Sequence, residues 1–161
     1  MAGVIVRFER FLWLFPAAYA LHIIEEYGTG FPAWMTRHMH ASMDNTRFLM
    51  NNALFMAILL AVSAWASASR SRLSAFVFLS WASGNLLWNF IFHLVTTLYA
   101  DSYSPGLVTA SLLYYPISLW GGVLAVHEGR LPVPGVIGAV AIGAVLMMFV
   151  VWAGLWHFQL P

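Results

Sequence analysis

The chain has 161 residues, 61% of them hydrophobic and only 8% charged, with a mean hydropathy of +0.79 and a formal net charge of +1. Soluble domains carry about 25% charged residues, so this inventory excludes a soluble globular domain and a disordered chain. Seven arginines, no lysine and a near-zero balance leave no basic face for nucleic acid, and the absence of cysteine excludes disulfide scaffolds, thiolate metal sites and cysteine nucleophiles.

What remains is an all-α protein, a polytopic membrane helical bundle forming one domain over residues 1–161 with the lipid bilayer as its first partner. A spanning helix needs about 20 mostly apolar residues, and five stretches qualify: 8–27, 48–68, 73–99, 105–126 and about 133–156. Between them, Ser67 to Arg72 is a short polar turn, and Asp101-Ser-Tyr-Ser-Pro105 ends one helix and starts the next with proline at the tolerated first turn. His127 to Pro132 is another tight turn. The longest connection, 28–47, carries Trp34, Arg37, His38, His40, Asp44 and Arg47 and reads as a surface cap or short interfacial helix. His38 and His40 form a His-x-His pair that reads as surface residues of that segment, with a metal site or a lid contributing a ligand as the alternative. The first apolar stretch runs straight into His-Ile-Ile-Glu-Glu without a small-residue cleavage site, so it reads as a span and not a cleaved signal. Arg7, Arg10, Arg70, Arg72 and Arg130 fall on one side of a five-span arrangement, Arg37 and Arg47 on the other. By the positive-inside rule the N-terminus is cytoplasmic and the C-terminus outside. Ala53-Ala57-Ala61 and Gly135-Ala139-Gly143 are small residues at four-residue spacing, suited to close helix packing in lipid.

Polar residues at membrane depth are few, and they group. His22, Glu25 and Glu26 share the first span; at about 100° per residue they fall on one face roughly 100° wide. Asn85, Asn89 and His93, spaced by four, form a stripe on the third span, and Asn51 and Asn52 open the second. With a rise of about 1.5 Å per residue, the groups on all three helices come to one level in the outer half of the membrane. A charged side chain there costs about 2.5–3.5 kcal/mol on insertion scales, which makes each a functional candidate. Two adjacent carboxylates in a low-dielectric site need compensation. With no lysine in the chain and no arginine inside a span, it must come from a proton, a protonated histidine, an arginine of the 28–47 loop, a metal or a cationic ligand.

His22-Ile-Ile-Glu25-Glu26 on the first helix and Asn89-Phe-Ile-Phe-His93 on the third resemble the HXXEE family of small bacterial membrane proteins, which takes its name from the first motif and carries an Asn-x-x-x-His motif downstream. The Tyr103-Ser-Pro-Gly106 turn also has a familial look. The resemblance covers essentially the whole chain. It implies a shared helical fold, a bacterial inner-membrane location and an active or metal site at His22, Glu25, Glu26, Asn89 and His93, without implying a reaction.

Three functions fit such a site. The leading one is a metal-assisted enzyme acting on a lipophilic small molecule. His22, Glu25 or Glu26, and His93 would ligate Zn, Fe or Mn, a spare glutamate would act as general base, and Asn89 would orient a ligand or substrate oxygen. The His-x-x-Glu-Glu spacing is not the His-Glu-x-x-His pattern of metalloproteases. The second is a metal-free isomerase or cyclase of isoprenoid- or sterol-like substrates, using glutamate and histidine as acid and base. Trp88, Tyr19, Tyr27, Trp34 and Tyr114 would wall its pocket, which Asn52 and Asn85 also line. The third is a cation or proton binding or transport protein. Against it, the inner halves of the spans are almost purely apolar, and the last two spans hold almost no ionisable group before His157.

Overall fold

The computed structural model describes residues 7–153, and every element among them is helical. Trp156 and His157 lie outside the described residues. The chain runs α1 (Phe8–Phe11), α2 (Leu14–Gly28), α3 (Phe31–Met39), α4 (Asn45–Ser69), α5 (Arg72–Ala100), α6 (Leu107–His127) and α7 (Val133–Trp152). The last four are each long and apolar enough to cross a membrane, and together they make the protein a polytopic helical bundle.

The first expected span is divided. Pro16 has no N–H for the carbonyl of Leu12 and its ring crowds that oxygen; the chain turns at Leu12 and Trp13, and the Leu12 carbonyl accepts from Phe15 N instead, at 3.2 Å. At about 1.5 Å per residue, the 15 residues of α2 reach about 22 Å, short of a bilayer core of about 30 Å. The stretch after it carries α3, which opens at Gly30 with φ +81°.

The other ends follow ordinary capping chemistry. Asp44 accepts from Arg47 N at 2.8 Å to start α4, and Ser71 accepts from Ser74 N at 3.1 Å to start α5. Arg70, left-handed at φ +51°, is all that separates α4 from that cap. Two spans carry a π-helical segment, Ser83–Trp88 in α5 and Ala110–Tyr114 in α6. Such wide turns inside α-helices are frequent at functional sites.

At the end of the bundle where α1 begins and α4 and α6 finish, charge is paired. Buried Glu9 forms an ion pair with Arg130 and lies 4.0 Å from Arg70 Nε. Glu128 accepts from Phe8 N at 2.7 Å, and Arg130 donates to the Arg70 carbonyl at 2.9 Å. Above this clamp, Phe78 of α5 meets Phe8 and Phe15 edge to face at 6.1 and 5.1 Å.

The two small-residue stripes behave differently. Ala139 and Gly143 of α7 are buried against α5, so closely that a Cβ on Gly143 would stand 2.7 Å from the Gly84 amide nitrogen. Ser83 Oγ donates to the Ala139 carbonyl across the same seam at 3.3 Å. Ala53, Ala57 and Ala61 are exposed instead, because α4 turns Phe48, Leu59, Ser63 and Ala66 inward.

Candidate metal centre

His22 and Glu26 lie one turn apart on α2, and His93 faces them from α5 beyond its π segment. All three are buried. Glu26 Oε1 lies 3.4 Å from His22 Nε2 and 3.3 Å from His93 Nε2. The three candidate ligand atoms lie within 4.8 Å of one another. Although they are close enough for ion pairing, neither Nε2 makes a hydrogen bond. Two ring nitrogens and a carboxylate oxygen thus converge on a common point without bonding to one another.

Each ring is held from its far side. His22 Nδ1 lies 2.8 Å from Thr109 Oγ1, and that hydroxyl donates to the Gly106 carbonyl at 3.3 Å. In the tautomer with Nδ1–H as the donor to Thr109, Nε2 of His22 carries the free lone pair. His93 Nδ1 lies 2.9 Å from Ser104 Oγ, itself fully buried. The rings stand at 74° to one another with centroids 4.9 Å apart. Tyr114 covers His22 at 4.4 Å, and Phe31 of α3 covers His93 at 5.4 Å. Gly106 closes the cluster. A Cβ there would lie 2.7 Å from His22 Cε1, 2.8 Å from His93 Cε1 and 2.9 Å from Glu26 Cγ, and φ is +104°. The space between the three side chains exists because this residue has no side chain.

Glu25 is not in that group. Adjacent helical residues point about 100° apart, and Glu25 turns to the start of α6, accepting from Thr109 N at 2.7 Å, from Val108 N at 3.3 Å and from the Tyr103 hydroxyl. It satisfies the first amides of α6 and so fixes Thr109, the residue that holds His22. The two carboxylates are thereby separated, and among the described residues neither has an arginine partner: Arg37 is exposed, and Arg47 pairs with Asp44 at 3.7 Å. Partial burial and the bond to Glu25 push the Tyr103 phenol up to about 12.

Beside the cluster lies a cavity of about 120 Å³, and Glu26 belongs to both. Tyr19, Asn51, Asn52, Asn85 and Asn89 line it with apolar residues. Asn52 accepts from the Tyr19 hydroxyl at 2.6 Å and donates to the Phe48 carbonyl at 2.9 Å, while Asn85 donates to the Trp81 carbonyl at 2.8 Å. Asn89 Oδ1 is buried without a partner. Trp88 was expected in this pocket and lies outside it: the π segment swings its indole to α7, where Nε1 donates to the Val140 carbonyl at 2.8 Å. Of the other expected wall residues, Tyr27 is half exposed and Trp34 packs on His38 at 4.9 Å. His40 ends α3 in a left-handed conformation. Sequence reasoning missed Ser104 and Thr109; their nearest signal was the Tyr103–Gly106 turn between the two spans.

A buried cluster of two imidazoles and a carboxylate, enclosed by the helices of the bundle and edged by asparagines, defines the class: a polytopic membrane protein with a buried polar centre. A family described as "Protein of unknown function with HXXEE motif" matches residues 13–121, and the chain belongs to that family. No curated protein and no solved structure matches the chain.

Proposed function

We propose that the protein is an integral membrane enzyme whose His22–Glu26–His93 centre holds a divalent transition metal, Zn, Fe or Mn, and performs acid–base chemistry on a lipophilic substrate held in the adjoining cavity. One observation carries this reading. A tetrahedral ion with ligands at about 2.0–2.1 Å sets neighbouring ligand atoms about 3.3–3.4 Å apart. The two Nε2–Oε1 distances are 3.4 and 3.3 Å, with both nitrogens free of hydrogen bonds. Three protein ligands leave a position open, as catalytic centres do.

When bound, such an ion supplies Lewis acidity and an acidified water. The chain's own groups do the rest. Thr109 and Ser104 fix the imidazole rings from behind, as outer partners of metal-bound histidines do. Glu25 sets Thr109 in place by binding the amides of α6, and so acts as a positioning residue and not as a ligand. Glu26 presents the one ionisable side chain that lines the cavity apart from the Tyr19 phenol. Asn89 offers its carboxamide to a substrate oxygen. The five arginines at the clamped end support, by the positive-inside rule, a cytoplasmic position for that end and the N-terminus in a bacterial inner membrane, with the centre toward the outer leaflet. Because the chain has no cysteine, single introduced cysteines and impermeant thiol reagents test this orientation directly.

Elemental analysis of detergent-purified protein tests the centre. About one metal per chain is expected, lost in His22→Ala and in His93→Ala but kept in Glu25→Gln. Absence of metal from protein grown with ample Zn, Fe and Mn overturns the reading, as does full retention in His93→Ala. The packing of Tyr114 on His22, with a buried phenol that makes no hydrogen bond, favours a second reading. In it, Glu26 and the imidazoles work without metal as the acid and base of an isomerase or cyclase. Metal-free protein carrying a tightly bound hydrophobic molecule would support it.

A further inference from the structure

The four asparagines of the cavity fall into two pairs. Asn52 and Asn85 are engaged by their own helices, at the Phe48 and Trp81 carbonyls, and Asn52 also holds Tyr19. Asn51 and Asn89 line the same cavity, and among the described residues neither carboxamide makes a hydrogen bond; Asn89 Oδ1 is moreover shut away from water. A buried polar atom without a partner costs about 1–3 kcal/mol, which a guest supplying that partner would recover.

The chemistry of the walls narrows that guest. No lysine, arginine or histidine is among the lining residues, so nothing there neutralises a phosphate, diphosphate or carboxylate head. With Glu26 Oε1 and the two imidazoles committed to the metal proposed above, no free counter-charge is left for an ammonium head. A carboxamide offers one donor and one acceptor face, and either orientation of it matches a group that both donates and accepts. A hydroxyl is the smallest such group. Around the asparagines stand Phe31, Phe48, Phe55 and Phe92 with Met35 and Met147, aromatic and pliable side chains suited to a hydrocarbon. The cavity lies between α4 and α7, which scarcely touch each other among the described residues, so a chain can lie along the gap toward lipid.

We infer that the cavity recognises an uncharged lipid alcohol, its hydroxyl held by Asn89 and Asn51 beside Glu26 and its hydrocarbon tail lying between α4 and α7. The inference names the substrate class of the site and rests on the reading of that site given above.

Five probes with one tail test it on full-length protein in nanodiscs: hexadecan-1-ol, its methyl ether, hexadecyl phosphate, hexadecanoic acid and hexadecylamine. Loss of one hydrogen bond corresponds to about tenfold in affinity. The alcohol is expected to bind at least about tenfold more tightly than each of the others, and Asn89→Leu and Asn51→Leu are each expected to weaken it about tenfold. Equal or tighter binding of the acid, phosphate, amine or ether overturns the inference, as does unchanged alcohol affinity in both variants. The probe series on the wild-type chain decides the matter even where a variant folds poorly. Metal content is measured on the same samples. Metal-loaded protein without preference for the alcohol sinks this inference and leaves the metal centre standing. Metal-free protein that keeps the preference, and loses it in the asparagine variants, supports the alcohol site and sinks the metal.

Discussion

Replacing Gly106 by alanine adds one methyl group at the point where the centre closes. The new carbon would stand 2.7, 2.8 and 2.9 Å from atoms of His22, His93 and Glu26, all closer than van der Waals contact allows. It would also place a side chain on a backbone at φ +104°, ψ −16°. The backbone term costs about 1–3 kcal/mol and overpacking of a buried site about 1–3 kcal/mol. The three neighbours have little freedom to yield, since hydroxyls pin both rings and burial confines Glu26. Gly129→Ala is the matched control. It too has a positive φ, +68°, but a Cβ there meets nothing within 4 Å, so it carries a backbone cost alone. Thermal unfolding of both variants in the same detergent should show Gly106→Ala less stable than Gly129→Ala by about 1–3 kcal/mol. Metal content should fall in the Gly106 variant only. Equal unfolding temperatures together with full metal in Gly106→Ala would refute the claim that this glycine makes room for the centre.

Thr109→Val removes the hydroxyl behind His22 and should weaken metal binding about 10–100-fold, with Thr109→Ser restoring it; a chelator competition titration that finds valine equal to threonine refutes this role. Glu25→Gln weakens charge-assisted bonds to two amides and should destabilise the fold by about 1–2 kcal/mol, read as a lowered unfolding temperature at unchanged metal content. In the folded protein Tyr103 is raised to about 12 from an ordinary 10, so its neutral form is favoured. That contribution to stability is whole below pH 10 and is lost as pH climbs through 12. The ultraviolet phenolate increment missing from Tyr103→Phe should therefore titrate near 12, and an increment near 10 counts against the bond to Glu25. Arg130→Ala at the opposite end leaves buried Glu9 short of its main partner and should cost about 3 kcal/mol. A change below about 1 kcal/mol in reversible unfolding would show that clamp to be inert.

Much of this was legible in the chain because lipid leaves so few options. Apolar stretches of spanning length can only be helices, and the few polar residues among them stood out. The conjunction of His22, Glu26 and His93 follows from i, i+4 spacing on one helix and a matching level on another. Four things were hidden, each for a physical reason. The division of the first span comes from one missing hydrogen bond at Pro16, which hydropathy does not register. The turning of Glu25 toward α6 depends on amides at the start of another helix, and an angular window of about 100° is too wide to separate it from Glu26. The departure of Trp88 follows from the π segment at Ser83–Trp88, where a regular period of 3.6 no longer says which way a side chain points. Ser104, Gly106 and Thr109 carried no charge to mark them, and their role exists only once the loop between α5 and α6 folds back over the rings.

The wide turn in α5 lets one rod serve two clients. Just before it and in its first residues, Ser80, Ser83 and Gly84 mesh with Ala139 and Gly143 of the last helix; behind it, Asn89 and His93 look toward the opposite wall. Excising a single residue from 83–88 would let the rod wind evenly and leave Asn89 and His93 facing nearly as they do now, whereas the same excision in a regular part of α5 ahead of them would swing everything downstream by about 100°. The spare residue in that turn is thus slack in the rod, and a one-codon deletion is absorbed there while the same deletion a few residues further on would turn the histidine away.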